Sequence, residues 1–236
     1  MRKKMEIKPY KDSQQALHTL TEDLIRLMQQ RQREVFNLAL SGGETAKKMF
    51  ALWIAEYKDR MNWEALHFFW VDERCVPPAD PESNYGQAEH LLLSPLQIPG
   101  KQIHRIQGEN DPGQEALRYA QEVRECVPSV HGIPLFDAVI LGIGNDLHTA
   151  SIFPNVPELL TDTRDYAVSR HPVTGQYRIT MTGTLLLNGA PLLVPVLGKG
   201  KELVVEELRK EDSRSRSYPA TYILDRASQA MVYLGI

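Results

Sequence analysis

The stretch Asp137-Ala-Val-Ile-Leu-Gly-Ile-Gly-Asn-Asp-Leu-His-Thr-Ala-Ser-Ile-Phe-Pro154 decides how the rest of the chain is read. Phe136 to Leu141 is a short apolar run rich in Val and Ile that stops at glycine. A run apolar on both faces predicts a buried parallel strand. Gly142 and Gly144 permit a sharp, closely packed turn after it. Asp146 and His148 then fall where the strand hands over to the next element. In open α/β sheets ligands bind beyond the carboxyl ends of the strands, so this acid and histidine are candidates for base catalysis.

Working outward, the same grammar repeats. Val35 to Leu40 reads as a strand, followed at once by Ser41-Gly42-Gly43 and a helical segment from Ala46 to Tyr57. Glycines at a helix start leave backbone N–H groups open to a phosphate or carboxylate, although a tight turn without ligand has the same pattern. Leu66 to Val71 is a strand with Asp72, Glu73 and Arg74 at its carboxyl end. Pro77, Pro78 and Pro81 mark a loop, after which Ser83 or Asn84 caps a helix running to about Leu93, with Gln87 at capping-box spacing from Asn84. Cys75 has no histidine near in sequence and reads as a passive thiol.

Gln14 to Arg31 and Gln114 to Cys126 carry their apolar residues at helical spacing. Between them, Gln102 to Ile106 is strand-like, and its His104 and Arg105 take a structural role by default. Ser151 to Leu160 reads as a short helix interrupted by Pro154 and Pro157. Tyr166 to Arg170 is a strand, and Tyr177, Ile179 and Met181 alternate with Arg178, Thr180 and Thr182 as in a half-buried strand with Arg178 on its polar face. Leu192 to Leu197 is a buried strand ending in Gly198-Lys199-Gly200-Lys201, with a helix to about Lys210. Glu211 to Ser217 reads as a charged, mobile loop, and Gln229 to Leu234 as a last strand. Alternating strands and helices, with polar clusters at strand carboxyl ends, predict one α/β domain over 1–236: a doubly wound, mostly parallel, Rossmann-like sheet with helices on both faces.

Bulk properties narrow the function. A 236-residue chain with 42% hydrophobic and 24% charged residues fits an ordinary globular protein. A formal net charge of -3 points to no nucleic acid or anionic membrane as partner. No apolar run reaches the roughly 18 residues of a membrane span, and Met1 to Ile7 lacks the apolar core of a signal peptide. Two cysteines are too few for a disulfide framework or a four-cysteine metal site, so a reduced, cytoplasmic setting is expected.

Four segments, in order, carry a family likeness: Leu40-Ser-Gly-Gly43; Trp70-Val-Asp-Glu-Arg74 with Ser83-Asn-Tyr85; Leu141 through Pro154; and Arg178-Ile-Thr180 followed by Gly198 and Lys201. Together they resemble the 6-phosphogluconolactonases. The isomerase and deaminase relatives share the Asp-Glu pair and an Asp-x-His turn, whereas the continuation His148-Thr-Ala-Ser-Ile-Phe-Pro154 is similar to the lactonase branch. The resemblance implies hydrolysis of 6-phospho-D-glucono-1,5-lactone with His148 as general base, Asp146 orienting it and Arg74 holding the lactone. Asp72 joins the substrate site, and Ser41, Gly42, Gly43, Arg178 and Lys201 take the phosphate. It implies a monomer or homodimer with no metal or organic cofactor. Two departures stand out. The family turn is Asp-Gly-His where this chain has Leu147, and Glu44 puts a negative charge next to the glycine turn. A leucine forced to positive φ costs on the order of 1–2 kcal/mol, unless the turn rebuilds and moves His148. Three alternatives remain: a glucosamine-6-phosphate deaminase-like enzyme, which needs a carboxylate where Phe153 stands; a sugar-phosphate binder disabled by Leu147; and a plain interaction domain.

Overall fold

The computed structural model describes residues 5–31, 34–210 and 218–236. In chain order its elements are β1 (Glu6–Pro9), α1 (Ser13–Arg31), β2 (Phe36–Leu40), α2 (Glu44–Leu52), β3 (Leu66–Trp70), β4 (Asp72–Arg74), α3 (Asn84–Ala88) and α4 (Pro112–Cys126). There follow β5 (Ser129–Val130), β6 (Ile133–Pro134), β7 (Ala138–Ile140), β8 (Tyr166–Arg170), β9 (Tyr177–Met181), α5 (Gly183–Leu186), β10 (Leu192–Leu197), α6 (Glu202–Arg209), α7 (Pro219–Arg226) and β11 (Ala230–Gly235).

Six strands pair in parallel in the order β1-β11-β10-β7-β2-β3, with helices packed against the sheet, as the apolar runs lead one to expect. All residues of β2, β7 and β10 are buried, which is why those runs lack alternation. Buried Asp137 holds the register of the two central strands. Its Oδ2 accepts from Asn37 N at 2.8 Å, and its Oδ1 lies 3.1 Å from Arg31. Pro195 sits inside β10, where a missing N–H is normally excluded. The β10–β7 ladder ends at Leu193–Ile140, two residues earlier, because β7 has by then turned away.

A second sheet departs from the sequence reading. The chain leaves the parallel sheet at Val71, whose N donates to Leu40 O and whose O accepts from Met181 N. It enters an antiparallel sheet of order β4-β9-β8. The expected polar face of β9 is not solvated either: Arg178 is only 8% exposed and Thr180 is fully buried. Arg178 faces a cleft rather than bulk water, while the Thr180 hydroxyl accepts from Ser151 N and donates to Met181 O, and a solvated polar face would share the same sequence pattern.

Other segments differ as well. Ser151 to Leu160 is no helix; only Pro157–Leu160 forms a 3₁₀ turn. Prolines without N–H at 154 and 157, and Ala150 at φ 52°, break the segment before it. Gln102 to Ile106 makes a single bridge, Ile103 to Phe68, instead of a strand. His104 there stacks on Phe69, with ring centroids 4.3 Å apart, and lies 3.0 Å from Glu122. The short elements β1, β5, β6 and α7 had no periodicity long enough to announce them. The segment read as a mobile loop, Glu211 to Ser217, lies outside the described residues. No helix among the described residues is long and apolar enough to cross a membrane.

Candidate active site

The sheet order reverses between β2 and β7: β2 is followed by β3 on one side, whereas β7, β10 and β11 continue on the other. A crevice opens at such a switch point, beyond the carboxyl ends of the two strands. Here Ser41 and Gly142 close it from below. Ser41 N donates to Ile140 O at 3.0 Å, and Gly142 N donates to Ser41 Oγ at 3.1 Å. Gly42 is demanded by contact, since a Cβ there would stand 1.9 Å from Asn84 Oδ1. Gly43 then caps α2 without any side-chain acceptor, so the first N–H groups of that helix stay available to an anion.

The turn after β7 delivers the histidine. Gly144 N donates to His148 O at 2.9 Å, Leu147 N donates to Gly144 O at 3.0 Å, and Thr149 Oγ1 donates to Gly142 O at 2.8 Å. His148 Nδ1 lies 2.5 Å from Asp146 Oδ1, which also accepts from His148 N at 3.2 Å. Burial alone would raise the Asp146 carboxyl, but hydrogen bonds and charge from His148 outweigh it and hold its pKa at about 2. An ionised carboxylate accepts the Nδ1 proton, which leaves Nε2 with the lone pair. That is the tautomer a general base requires.

Across the cleft stands the antiparallel sheet. Arg74 of β4 lies opposite Arg178 of β9, a like-charged pair that a sheet does not choose for stability. Arg74 Nη1 donates to Glu82 O, and Arg178 Nη2 donates to Gln176 Oε1 at 3.2 Å. The Nε of each is buried without a partner among the described residues. Burial and then Arg74 lower the pKa of Arg178, and burial lowers that of Lys201. Lys201 Nζ donates to Ile143 O at 2.7 Å. None of these three cations forms an ion pair among the described residues.

Buried Glu73 shapes the loop that carries Arg74. Its carboxylate accepts from Arg74 N, Asn84 N, Tyr85 N and Ser83 Oγ at 2.7–3.0 Å. Asp72 Oδ2 accepts from Ser151 Oγ at 2.6 Å, which ties β4 to the turn after His148. The resulting cleft encloses about 300 Å³ and is lined by Ser41, Gly42, Gly43, Asp72, Arg74, His148, Arg178 and Lys201. Asp146 touches it through His148. The nine residues singled out from the sequence therefore converge on one place.

Comparison with known proteins identifies the family. Residues 11–233 match the family model of glucosamine-6-phosphate isomerases/6-phosphogluconolactonase. The chain belongs to this family. It is 42% identical to a 6-phosphogluconolactonase of Treponema pallidum over 170 residues, covering 72% of this chain and 70% of the relative. It is 39% identical to that of Haemophilus influenzae, covering 79% of each. The crystal structure of devB protein, 37% identical, superposes with a TM-score of 0.91 over 98% of this chain and 96% of that one.

Within this family fold the unusual leucine is accommodated. Leu147 adopts φ 64°, so the turn keeps its left-handed residue and does not rebuild. The Leu147 side chain is 5% exposed within the core, and its carbonyl accepts from Ala220 N at 3.0 Å, at the start of α7. Left-handed strain costs about 1–2 kcal/mol, whereas removing a buried leucine side chain costs about 2–5 kcal/mol. Burial wins. Leu147→Gly is therefore expected to lower stability by about 2 kcal/mol in urea unfolding, the difference between the middles of those two ranges. A more stable variant would show that strain dominates.

Glu44 turns to Lys47, 2.6 Å away, with its carboxylate largely in solvent. The helix start at residue 83 uses Ser83, whose Oγ accepts from Gly86 N, and not Asn84. The capping box is absent, because Gln87 Nε2 donates to Pro81 O. Asn84 instead faces the cleft against Gly42, with Nδ2 donating to Asp72 O and Oδ1 unpartnered. Its side reading as a cap concealed this role. Burial and then Glu73 push the Cys75 thiol up to about 11, which disfavours the nucleophilic thiolate.

Proposed function

We propose that this family member hydrolyses 6-phospho-D-glucono-1,5-lactone to 6-phosphogluconate, with His148 as the general base. The observation that carries the reading is a base already held by a carboxylate, facing a cleft whose three cations form no ion pair among the described residues. A substrate needs both an anion for the cations and an electrophile for the base. A phosphorylated lactone has both.

The phosphate rests on the Ser41 to Gly43 turn and the open start of α2, neutralised by Lys201 and Arg178. Asp72 binds the sugar from β4. Water approaches the lactone carbonyl, His148 Nε2 takes its proton, and the new C–O bond pushes charge onto the carbonyl oxygen. Arg74 stabilises that oxyanion, a service worth most in a site shielded from bulk water. Asp146 stabilises the imidazolium. Collapse of the intermediate breaks the bond to the ring oxygen, which receives the proton from His148, and the carboxylic acid so formed then loses its proton to solvent.

Phe153, fully buried against the His148 ring, offers no carboxylate for a deaminase-type proton transfer, which supports the lactonase reading. Among the described residues no group of three or more His, Cys, Asp or Glu is placed to hold a metal, and the steps above use none. In this reading the enzyme works in the cytoplasm with both thiols free, as a monomer or homodimer.

The test is the opening of freshly generated 6-phosphogluconolactone, corrected for the spontaneous reaction and run beside unphosphorylated glucono-1,5-lactone. The protein accelerates the first, without loss in EDTA. It prefers it by about 10²-fold or more, since two charge-assisted contacts at about 1.5–3 kcal/mol each are at stake. Absence of acceleration ends the lactonase reading; equal rates on both lactones end the phosphate clamp; loss in EDTA restored by a divalent ion ends the metal-free mechanism.

A further inference from the structure

Asn84 takes no part in the chemistry above, yet it stands where the two halves of the cleft meet. It is buried and lines the cleft together with Gly42, Asp72 and Arg74. Its main chain is held from the side of β4, because Asn84 N donates to the carboxylate of Glu73 at 2.8 Å. Its side chain is held from the same side, with Nδ2 donating to Asp72 O at 2.9 Å. A carbonyl only accepts, so this bond fixes which end of the amide is the nitrogen. The other end, Oδ1, has no hydrogen-bond partner among the described residues.

That end meets the glycine turn. A Cβ on Gly42 would stand 1.9 Å from Asn84 Oδ1, 2.2 Å from its Cγ and 2.9 Å from its Cβ. The amide thus fills the space that any side chain at position 42 would need. The turn itself is tied to the parallel sheet, since Ser41 N donates to Ile140 O and Ser41 Oγ accepts from Gly142 N. Asn84 therefore joins a turn fixed on β2 and β7 to a strand of the antiparallel sheet. Elsewhere the halves are linked by Val71 N to Leu40 O and by Ser151 Oγ to Asp72 Oδ2, and neither link touches Gly42. An orphaned buried acceptor costs about 1–3 kcal/mol. An apolar side chain of the same size would avoid that cost but would give up the anchor on Asp72 O.

We propose that Asn84 is a positioning residue whose amide sets the separation between the phosphate-binding turn and β4, and so between the turn and Arg74. This rests on the lactonase reading, which puts the phosphate on the turn and the lactone against β4. One methylene joins the lactone ring to its phosphate, so the substrate reaches both ends only when that separation is right. The contact is steric and mutual: the amide backs the turn, and the glycine makes room for the amide.

The test is a double-mutant cycle of Gly42→Ala, Asn84→Ala and the two together. For each protein kcat and KM are measured on freshly generated 6-phosphogluconolactone, beside a melting curve. Gly42→Ala drives its methyl into the amide and lowers kcat/KM by about 10²-fold, the effect of a displacement of about 1 Å. Asn84→Ala removes the backing and the anchor and loses about 10-fold, the size of one hydrogen bond, through KM with kcat retained. In the double variant the methyl at 42 meets only the Cβ at 84, so kcat/KM returns to about that of Asn84→Ala. Independent sites would instead multiply to a loss of about 10³-fold. Multiplied losses overturn the proposal, as does an Asn84→Ala variant with no loss, or one whose loss falls on kcat or only on the melting midpoint. Should Gly42→Ala fail to fold, folding restored in the double variant supports the contact, and folding not restored overturns it. Failure of the lactonase reading shows separately, as a wild type that opens the lactone no faster than buffer does.

Discussion

Gly144→Ala lowers kcat/KM by about 10²-fold while leaving the thermal midpoint nearly unchanged. A Cβ at this position would stand 2.2 Å from both Cε1 and Nδ1 of His148 and 2.7 Å from Asp146 Oδ1. No pair of atoms tolerates that separation, so something must shift. The main chain of the turn is tied by Gly144 N to His148 O and by Leu147 N to Gly144 O, which leaves the imidazole as the part that gives way. A base displaced by about 1 Å costs roughly 10²-fold in rate. Gly144 has no positive φ, so alanine brings no backbone strain of its own. Steady-state kinetics and a melting curve on one preparation check both halves. Wild-type kinetics would mean the ring sits elsewhere during turnover; a large drop in the midpoint would mean the glycine serves folding instead.

His148→Ala removes the base and lowers kcat by about 10²–10⁴-fold, the usual contribution of a positioned proton acceptor. The clamp of Arg74, Arg178 and Lys201 survives, so KM changes little. The same substitution has a signature that does not depend on activity. Asp146 keeps its burial but loses the His148 ring, so its carboxyl moves upward from about 2. The sign follows from linkage: a depressed carboxyl pKa stabilises the fold above the ordinary value of 3.8 and ceases to do so as pH falls through about 2. Wild type therefore loses this contribution only in strong acid, and His148→Ala loses it earlier. A carbonyl-carbon NMR titration of Asp146 reads the shift. An unmoved carboxyl would show that the short contact to His148 is not what holds it down.

Much of the site could be read from residue order because its parts are local. Ser41 to Gly43, Asp72 to Arg74 and Asp146 to His148 each follow a buried strand directly, and a strand's carboxyl end in an open α/β sheet is a binding edge whatever the strand order turns out to be. Arg178 and Lys201 entered on resemblance, and the cleft does contain both. What stayed hidden depended on distance. Asn84 looked like a cap because its neighbour Ser83 is one, and only the approach of Gly42 reveals the second use.

The amino-acid order by itself determined the parallel sheet and its glycine turns, because a strand buried on both faces and a chain reversal without Cβ leave marks within a few residues. Only the tertiary structure decided that β4, β8 and β9 form a separate antiparallel sheet, that Arg74 and Arg178 face one another, and that Leu147 keeps its left-handed turn. The physical reason is common to all three. Local periodicity reports whether a face is polar or apolar, but the energy that selects a conformation comes from what covers that face. For Arg178 it is a cleft and not solvent, and for Leu147 a core whose burial exceeds the strain.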